Sequence, residues 1–469
     1  MKSITIALLL GVILGSYTYE WISPVRWNLF VLLLLFAGVS LRNRALQTCV
    51  LVIAFVGIGA NRSAYELRSL ADDSGISSRS YMLYLERIRV TEQRAGLLAD
   101  VRQPLLDAFK RNGLADDEYA IASAMALGDK SSLTQELKDS YSKAGASHVL
   151  ALSGMHLAII YAMLMLCIVR LAVYLYAIPE WIYVNVRTNR FLCWLFRHRP
   201  SELYLKNFLS LFVLAAIWGY VVLVGMTPSV VRSAVMITVY GMAEILVRNS
   251  DTISKLAIAL FVMLLASPLS VYDVGFQMSF LAVLGIGLYF SPLYHLIYRL
   301  IPPFDNRLRR VNRRYDELHE HWWFLGVKKI VTYVWSGLML SVSAQIMVMP
   351  LVAHYFGRVS CYSLFTSVVV AFLATVIVCM AIVALCLSLI PAVEWVAHVA
   401  MEVLGRLIGL QNGFVRWEAS LPGAYIDDIA MSTSQVYLIY IIIGCATVLF
   451  LMAVKKNKGN YLRLGINEK

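Results

Sequence analysis

The residues best equipped for chemistry in this 469-residue chain are bunched in the stretch GASHVLALSGMH, Gly145 to His156. It sets His148, Ser153 and His156 at the mouth of an apolar run that continues to about residue 176. A serine three residues from a histidine on one helix allows contact between a nucleophile and a base. One chemistry to weigh is therefore an intramembrane serine hydrolase, with Ser153 attacking and His148 or His156 taking the proton. ALSG lacks the first glycine of a GxSG motif, and no independent third group orients the pair. The other chemistry is non-covalent. Polar side chains in a membrane span face a bundle interior or an aqueous pathway, because a charge set against lipid costs about 2.5–3.5 kcal/mol.

Comparable groups recur at the ends of other apolar runs. Arg232 follows Pro228 by about one helical turn, and Asp273 and Gln277 sit one turn apart at the start of another run. Gln345, His354 and Arg358 close a further one. At about 100° per residue, His148, Ser153 and His156 fall on one broad face of a helix that starts at Ser147. Taken singly, a serine or glutamine in a span is interhelical glue, and a histidine near a helix end is interfacial. Four spans, however, place their costly groups at one depth and on one side. The expectation is a polar vestibule opening to the exterior, with Arg232 and Asp273 as an ion pair.

Composition decides what scaffold must hold these groups. With 59% hydrophobic and 15% charged residues and a mean hydropathy of +0.69, the chain is far too apolar for a soluble globular domain. The expected fold is an all-α polytopic membrane protein of about 10–12 transmembrane helices with a small helical extracytoplasmic segment. Apolar runs fall near 4–17, 27–41, 45–60, 149–176, 207–224, 229–247, 253–266, 276–290, 330–351, 362–389 and 436–454. The first lacks a cleavage pattern and reads as a retained span.

Basic residues collect in alternate loops. They are Arg42 and Arg44, then Arg187 to Lys206, then Arg248 and Lys255, then the dense cluster from Arg299 to Lys329, and finally Lys455, Lys456 and Lys458. This is the positive-inside signature, and it accounts for the net charge of +12 without an acidic partner. It puts both termini in the cytoplasm. Residues 393–411 carry Glu394, His398, Glu402 and Arg406 at near-helical spacing and read as an amphipathic or interfacial helix, so one more crossing must lie within 362–435. The seven cysteines show no CxxC or CxxH spacing. No disulfide framework, metal site or cofactor is expected.

Residues 61–147 form the sizeable soluble-looking segment, with three helices expected. The first covers about 81–110. The second covers 118–126, its first turn stabilised by Asp116, Asp117 and Glu118 against the helix dipole. The third is capped by Ser132 with Gln135 and ended by Lys143 and a Gly145 at C′. A structural collar and a substrate-contacting element are both open readings of it. The organisation expected is 1–60 as N-terminal spans, 61–147 as the extracytoplasmic segment, 148–390 as the membrane core, and 391–469 as amphipathic helix, last span and basic tail.

Five stretches, ALGDKSSL (126–133), GASHVLALSGMH (145–156), GMTPSVVRSAVM (225–236), DVGFQMSFLAVLG (273–285) and SAQIMVMPLVAHYFGRVS (343–360), resemble in the same order the competence domain of the ComEC family. These are inner-membrane channels for DNA uptake in natural transformation. The resemblance implies that 148–390 is a competence-type channel core that carries single-stranded DNA into the cytoplasm and is not an enzyme. It implies that Asp129, His148, Ser153, His156, Arg232, Asp273, Gln277 and Gln345 line or brace the pathway. Gly145, Gly154 and Pro228 support the same motifs, and His354 and Arg358 join them by position. Two departures matter. The stretch 61–81 is too short for the OB fold that offers single strands a stacking groove. The chain also stops soon after its last span, without a metallo-β-lactamase-like nuclease domain. A separate DNA receptor and nuclease are therefore expected as partners. In the absence of a nucleotide motif, a cytoplasmic ATPase or helicase is expected to supply the pulling. Oligomerisation is left open. Transport of another anionic substrate is the alternative, and the serine hydrolase the third reading.

Overall fold

The computed structural model describes residues 2–18, 24–40, 44–74, 99–150, 152–173, 202–246, 251–295 and 322–463. In chain order their principal helices are α1 (Lys2–Thr18), α2 (Pro24–Ser40), α3 (Arg44–Ser74), α4 (Ala99–Arg111), α5 (Asp116–Leu127), α6 (Gln135–Lys143), α7 (Gly154–Leu164), α8 (Glu202–Leu223), α9 (Pro228–Ile245), α10 (Thr252–Ala266), α11 (Val274–Tyr294), α12 (Trp322–Phe356), α13 (Ser363–Ser388), α14 (Glu394–Ala419) and α15 (Thr433–Arg463). One antiparallel pair of two-residue strands, β1 (Val359–Ser360) with β2 (Tyr425–Ile426), interrupts them.

Seven helical segments are long and apolar enough to cross a membrane: Thr48–Leu67, Gly154–Val173, Leu203–Leu223, Val274–Tyr294, Lys329–Phe356, Ser363–Ser388 and Thr433–Phe450. Two shorter apolar helices, Lys2–Ser16 and Thr252–Ala266, add to them. The 20 residues of Gly154–Val173 reach about 30 Å at about 1.5 Å per residue, the thickness of a bilayer's hydrocarbon core. Helices satisfy their own backbone groups, which is what a chain inside lipid requires. The protein is an all-α, multi-pass membrane protein.

The chain divides into two compact units. The first comprises Met1–Leu137, His148–Phe276 and Leu373–Gln411. There α1 and α3 meet backbone to backbone. A Cβ on Gly11 would lie 2.0 Å from the Val56 carbonyl oxygen, and one on Gly59 would lie 2.3 Å from that of Leu8. Small residues make such an approach possible where lipid offers no hydrophobic drive to associate. Lys2 Nζ pairs with Asp251 at 2.8 Å at one end of α10, while the Ser16 hydroxyl meets the Tyr272 hydroxyl beyond the other end. So α1 and α10 run parallel with matched ends.

The centre of this unit holds α5, in which every residue from Tyr119 to Leu127 is buried. Its sequence, YAIASAMAL, presents no polar stripe, and Ser123 turns its hydroxyl back to the Ala120 carbonyl at 3.1 Å. A helix apolar on all sides is stable only when enclosed.

The second unit comprises Lys138–Ser147, Gln277–Phe372 and Asn412–Lys469. Its α11 and α12 are antiparallel: Trp335 Nε1 donates to the Tyr294 carbonyl at 3.0 Å, and a Cβ on Gly285 would lie 2.3 Å from the Ser343 carbonyl oxygen. The helix α15 joins them through the Tyr440 hydroxyl, which donates to the Met347 carbonyl at 2.8 Å. The Tyr141 hydroxyl, fully buried, donates to Asn412 Oδ1 at 2.8 Å.

Several boundaries differ from those expected. The third span does not end near residue 60 but continues as α3 to Ser74. The helix expected over 81–110 is described from Ala99 onward, and its earlier part lies outside the described residues. For α6 the capping hydroxyl belongs to Thr134, which accepts from Leu137 N at 3.3 Å, rather than to Ser132. Its far end is as expected: Ala146 N donates to the Tyr141 carbonyl at 2.8 Å, with Gly145 at φ +73. The helix over 393–411 exists and is longer, Glu394–Ala419. Most of the basic loop residues, from Arg187 to Arg199 and from Arg299 to Arg314, lie outside the described residues.

Candidate functional site

In the first unit the polar groups gather where α7, α9 and α11 begin. The helix expected to start at Ser147 starts instead at Gly154, and residues Ser147–Val149 make a separate short turn. Ser153 stands before α7 in extended conformation (φ −106, ψ 170), and His156 Nδ1 accepts its backbone N–H at 3.0 Å. This is a capping box with histidine in the position usually held by Glu or Gln. Accepting that N–H leaves Nδ1 of the neutral ring without a proton and puts the proton on Nε2. The Ser153 hydroxyl also lies 3.2 Å from Nδ1. The lone pair a nucleophilic Ser153 would need is thus already turned to the backbone, and the geometry is that of a helix start. His156 is fully buried, whereas His148 is exposed in its own turn and shares no helical face with the other two.

A Cβ on Gly154 would lie 2.5 Å from Ser233 Oγ, so α7 begins hard against α9. The preceding residue on α9 is Arg232, whose Nη1 donates to Asp273 Oδ2 at 2.8 Å. Pro228 occupies the first position of α9, where its missing N–H costs nothing. Asp273 does two jobs at once: its Oδ2 accepts from Phe276 N at 2.9 Å and its Oδ1 from Gly275 N at 3.3 Å, capping α11. The guanidinium lies so close to this turn that a Cβ on Gly275 would be 2.9 Å from Arg232 Nη2. Exposure is uneven across the pair, 7% for the Arg232 side chain and 40% for that of Asp273. Asp129 follows α5 and Gly128, whose Cβ would meet Val224 at 2.6 Å just past α8, which puts it at the same end of this unit. Its carboxylate accepts from Ser131 N at 3.1 Å and lies 3.9 Å from Arg102 Nη2.

In the second unit a different cluster surrounds the end of α6. Arg358 is held by two carboxylates, Asp427 through Nε and Nη2 and Asp139 through Nη1 at 3.1 Å, and packs 5.0 Å from the Tyr425 ring centroid. Lys143 Nζ joins Asp139 at 2.7 Å and lies 5.6 Å from the same ring centroid. Hydrogen bonds from Lys143 and then Arg358 hold the Asp139 carboxyl below the usual aspartate range. Asp427 and then Asp139 push the Arg358 guanidinium up. Two cations and two carboxylates leave little net charge. A Cβ on Gly145 would stand 2.9 Å from Cβ of both Ser360 and Ser363, and the Ser363 hydroxyl donates to Gln345 Oε1 at 3.3 Å. One turn before β1, His354 Nδ1 meets the Met431 carbonyl at 2.7 Å, which puts its proton on that nitrogen. Gln277 is half-buried in the first turn of α11, which the antiparallel register carries toward the end of α12 bearing His354 and Arg358.

Each unit therefore concentrates its sequence-expected residues at one end. The first brings together Ser153, Gly154, His156, Pro228, Arg232 and Asp273, with Asp129 nearby. The second brings together Gly145, Gln345, His354 and Arg358. Sequence reasoning missed Asp139, Lys143, Tyr425 and Asp427. Only the i,i+4 spacing of Asp139 and Lys143 was a signal.

Comparison with known proteins gives the clusters a context. The pattern of the family described as Competence protein matches residues 125–454, well over half of the chain and inclusive of both clusters. The chain is also similar to ComE operon protein 3 of Bacillus subtilis (strain 168), at 29% identity over 173 residues. That match covers 37% of this chain and 18% of the relative, so only a small part of the relative's length is spanned. No solved structure matches. With the matched stretch running from α5 through the last span, the chain belongs to the Competence protein family.

Proposed function

We propose that this protein is a channel through which single-stranded DNA crosses the inner membrane into the cytoplasm during natural transformation. The observation that carries the reading is the family match over 125–454, which contains both polar clusters. A polyanion in a bilayer needs a wet path with cations it can meet and leave. Arg232, with a partner at 2.8 Å that is itself partly open to solvent, suits brief contact with passing phosphates rather than tight holding. On this reading His148, Ser153, His156, Arg232, Asp273, Gln277, Gln345 and His354 line or brace the entry side, and both termini lie in the cytoplasm. Arg358, engaged by Asp139 and Asp427, braces the wall rather than meeting DNA. On the same reading a DNA receptor, a nuclease and a cytoplasmic ATPase or helicase act with it as partners.

The test is genetic. In a host shown to take up added DNA, deleting the gene abolishes transformants while leaving DNA bound at the cell surface, and the wild-type gene restores them. Unchanged transformation in the deletion strain sinks the proposal.

A further inference from the structure

Glu418, near the end of α14, is 1% exposed. It meets the hydroxyl of Thr366 on α13 through Oε1, and its Oε2 has no hydrogen-bond partner among the described residues. The Thr366 hydroxyl also lies 3.0 Å from the Tyr362 carbonyl in donor geometry, the back-bonding typical of threonine in a helix. A hydroxyl has one hydrogen, so proton counting separates two states. With Glu418 ionised, Thr366 must donate to it and abandon Tyr362, and a buried carboxylate is left with one hydrogen bond and a bare oxygen. With Glu418 protonated, its own O–H donates to Thr366, Thr366 donates to Tyr362, and the remaining oxygen is an uncharged carbonyl. Burying an unpaired charge costs far more than burying an underused carbonyl.

Among the described residues no cation pairs with the Glu418 carboxyl. From α13 the facing group is Thr366, and just before that helix stands Tyr362, whose hydroxyl donates to the Pro422 carbonyl at 3.4 Å. On α14 the nearest charged residue in the chain, Arg416, is exposed, and beyond the turn Asp427 and Asp428 are exposed, the former engaged by Arg358. Phe365, Phe414 and Trp417 form a chain of ring contacts along the same two helices, with centroids 5.9 and 5.8 Å apart. Burial pushes the Glu418 carboxyl up from the ordinary value of 4.5, partly opposed by Thr366.

We propose that Glu418 with Thr366 is a proton-binding site: the carboxyl is held protonated in the closed contact between α13 and α14, and its ionisation loosens that contact. The reading goes beyond DNA transport and does not depend on it. The sign follows from linkage. The unfolded chain releases this proton first, so stability falls as pH rises from 4.5 toward the raised native value and levels off above it.

The experiment uses the full chain in lipid nanodiscs, with protons as the probe. Difference infrared spectra recorded during a pH titration should contain a protonated-carboxyl C=O band that persists above the ordinary value of 4.5 and is missing from Glu418→Gln. The same band should shift in frequency in Thr366→Val, which keeps the carboxyl but removes its hydrogen-bond partner. Thermal stability of Glu418→Gln should lose the decline with rising pH that the wild type shows. Titration spectra with no carboxyl band above pH 4.5 that distinguishes wild type from Glu418→Gln, or a Thr366→Val band that does not move, would overturn the site.

Discussion

Arg232 and Arg358 look alike in the sequence, each a lone arginine at the end of an apolar run, and the folded protein treats them in opposite ways. Arg232 leaves only 7% of its side chain exposed and pairs with Asp273, a carboxylate that also caps α11. Arg358 is more open and shares two carboxylates, a lysine and a tyrosine ring at a corner stitched by β1 and β2. The first arrangement tucks one cation behind a partly exposed aspartate, which serves both charge balance and a helix start. The second spreads charge over a partly exposed network of Asp139, Lys143, Arg358 and Asp427. A polar residue at a span end is therefore not one kind of feature, and its partners decide its role.

The contrast is open to breakage by mutation. Replacing Asp273 with Ala should have the largest effect, because it strips the 2.8 Å partner from a buried guanidinium and removes the cap of α11. We expect a loss of about 3 kcal/mol, the low end for breaking a buried pair because Asp273 keeps some solvent contact, read as thermal unfolding in detergent. Asp273→Asn, whose single amide oxygen can keep one of the two caps, should recover part of it. Gly145→Ala comes next: at φ +73 an L side chain costs about 1–2 kcal/mol, and its methyl would press on Ser360 and Ser363. Arg358→Ala should cost below about 1 kcal/mol, shrinking further at high salt, since its pairs are partly exposed. An effect as large as that of Asp273→Ala would erase the distinction between the two arginines.

The smallest effect concerns acid. The Asp139 carboxyl is held below its ordinary value of 3.8 by Lys143 and Arg358, so its stabilisation is complete above 3.8 and is lost as pH falls through the lowered native value. An acid scan should show a slight additional destabilisation of the wild type that is absent in Asp139→Asn.

The Arg232–Asp273 pair was legible in the sequence because lipid penalises charge, so two opposite charges at one depth are expected to meet. The glycine end of α6 was legible too, because backbone geometry at φ +73 selects its residue. The start of α7 was not. Ser147 and Ser153 are equally good caps on paper, and Ser153 takes the role through His156 three residues on, while Ser147 follows directly on the turn that ends α6. The enclosure of α5 escaped notice because YAIASAMAL lies in a segment whose charges balance, and a window wide enough to find spans averages it with polar neighbours. Glu418 was invisible for a similar reason: WEASLPG reads as an exposed helix end, and only the fold brings Thr366, 52 positions away, against it.

The central claim, that the Arg232 cluster lies on the DNA path, is tested most directly by internalised DNA. Cells carrying Arg232→Ala and, separately, Arg358→Ala would be given labelled double-stranded DNA, with membrane levels of each variant matched by immunoblot and nuclease-protected label counted. The account predicts that protected label falls to the deletion background in Arg232→Ala at normal protein level and stays near wild type in Arg358→Ala. Wild-type uptake by an Arg232→Ala protein present at full level would contradict it.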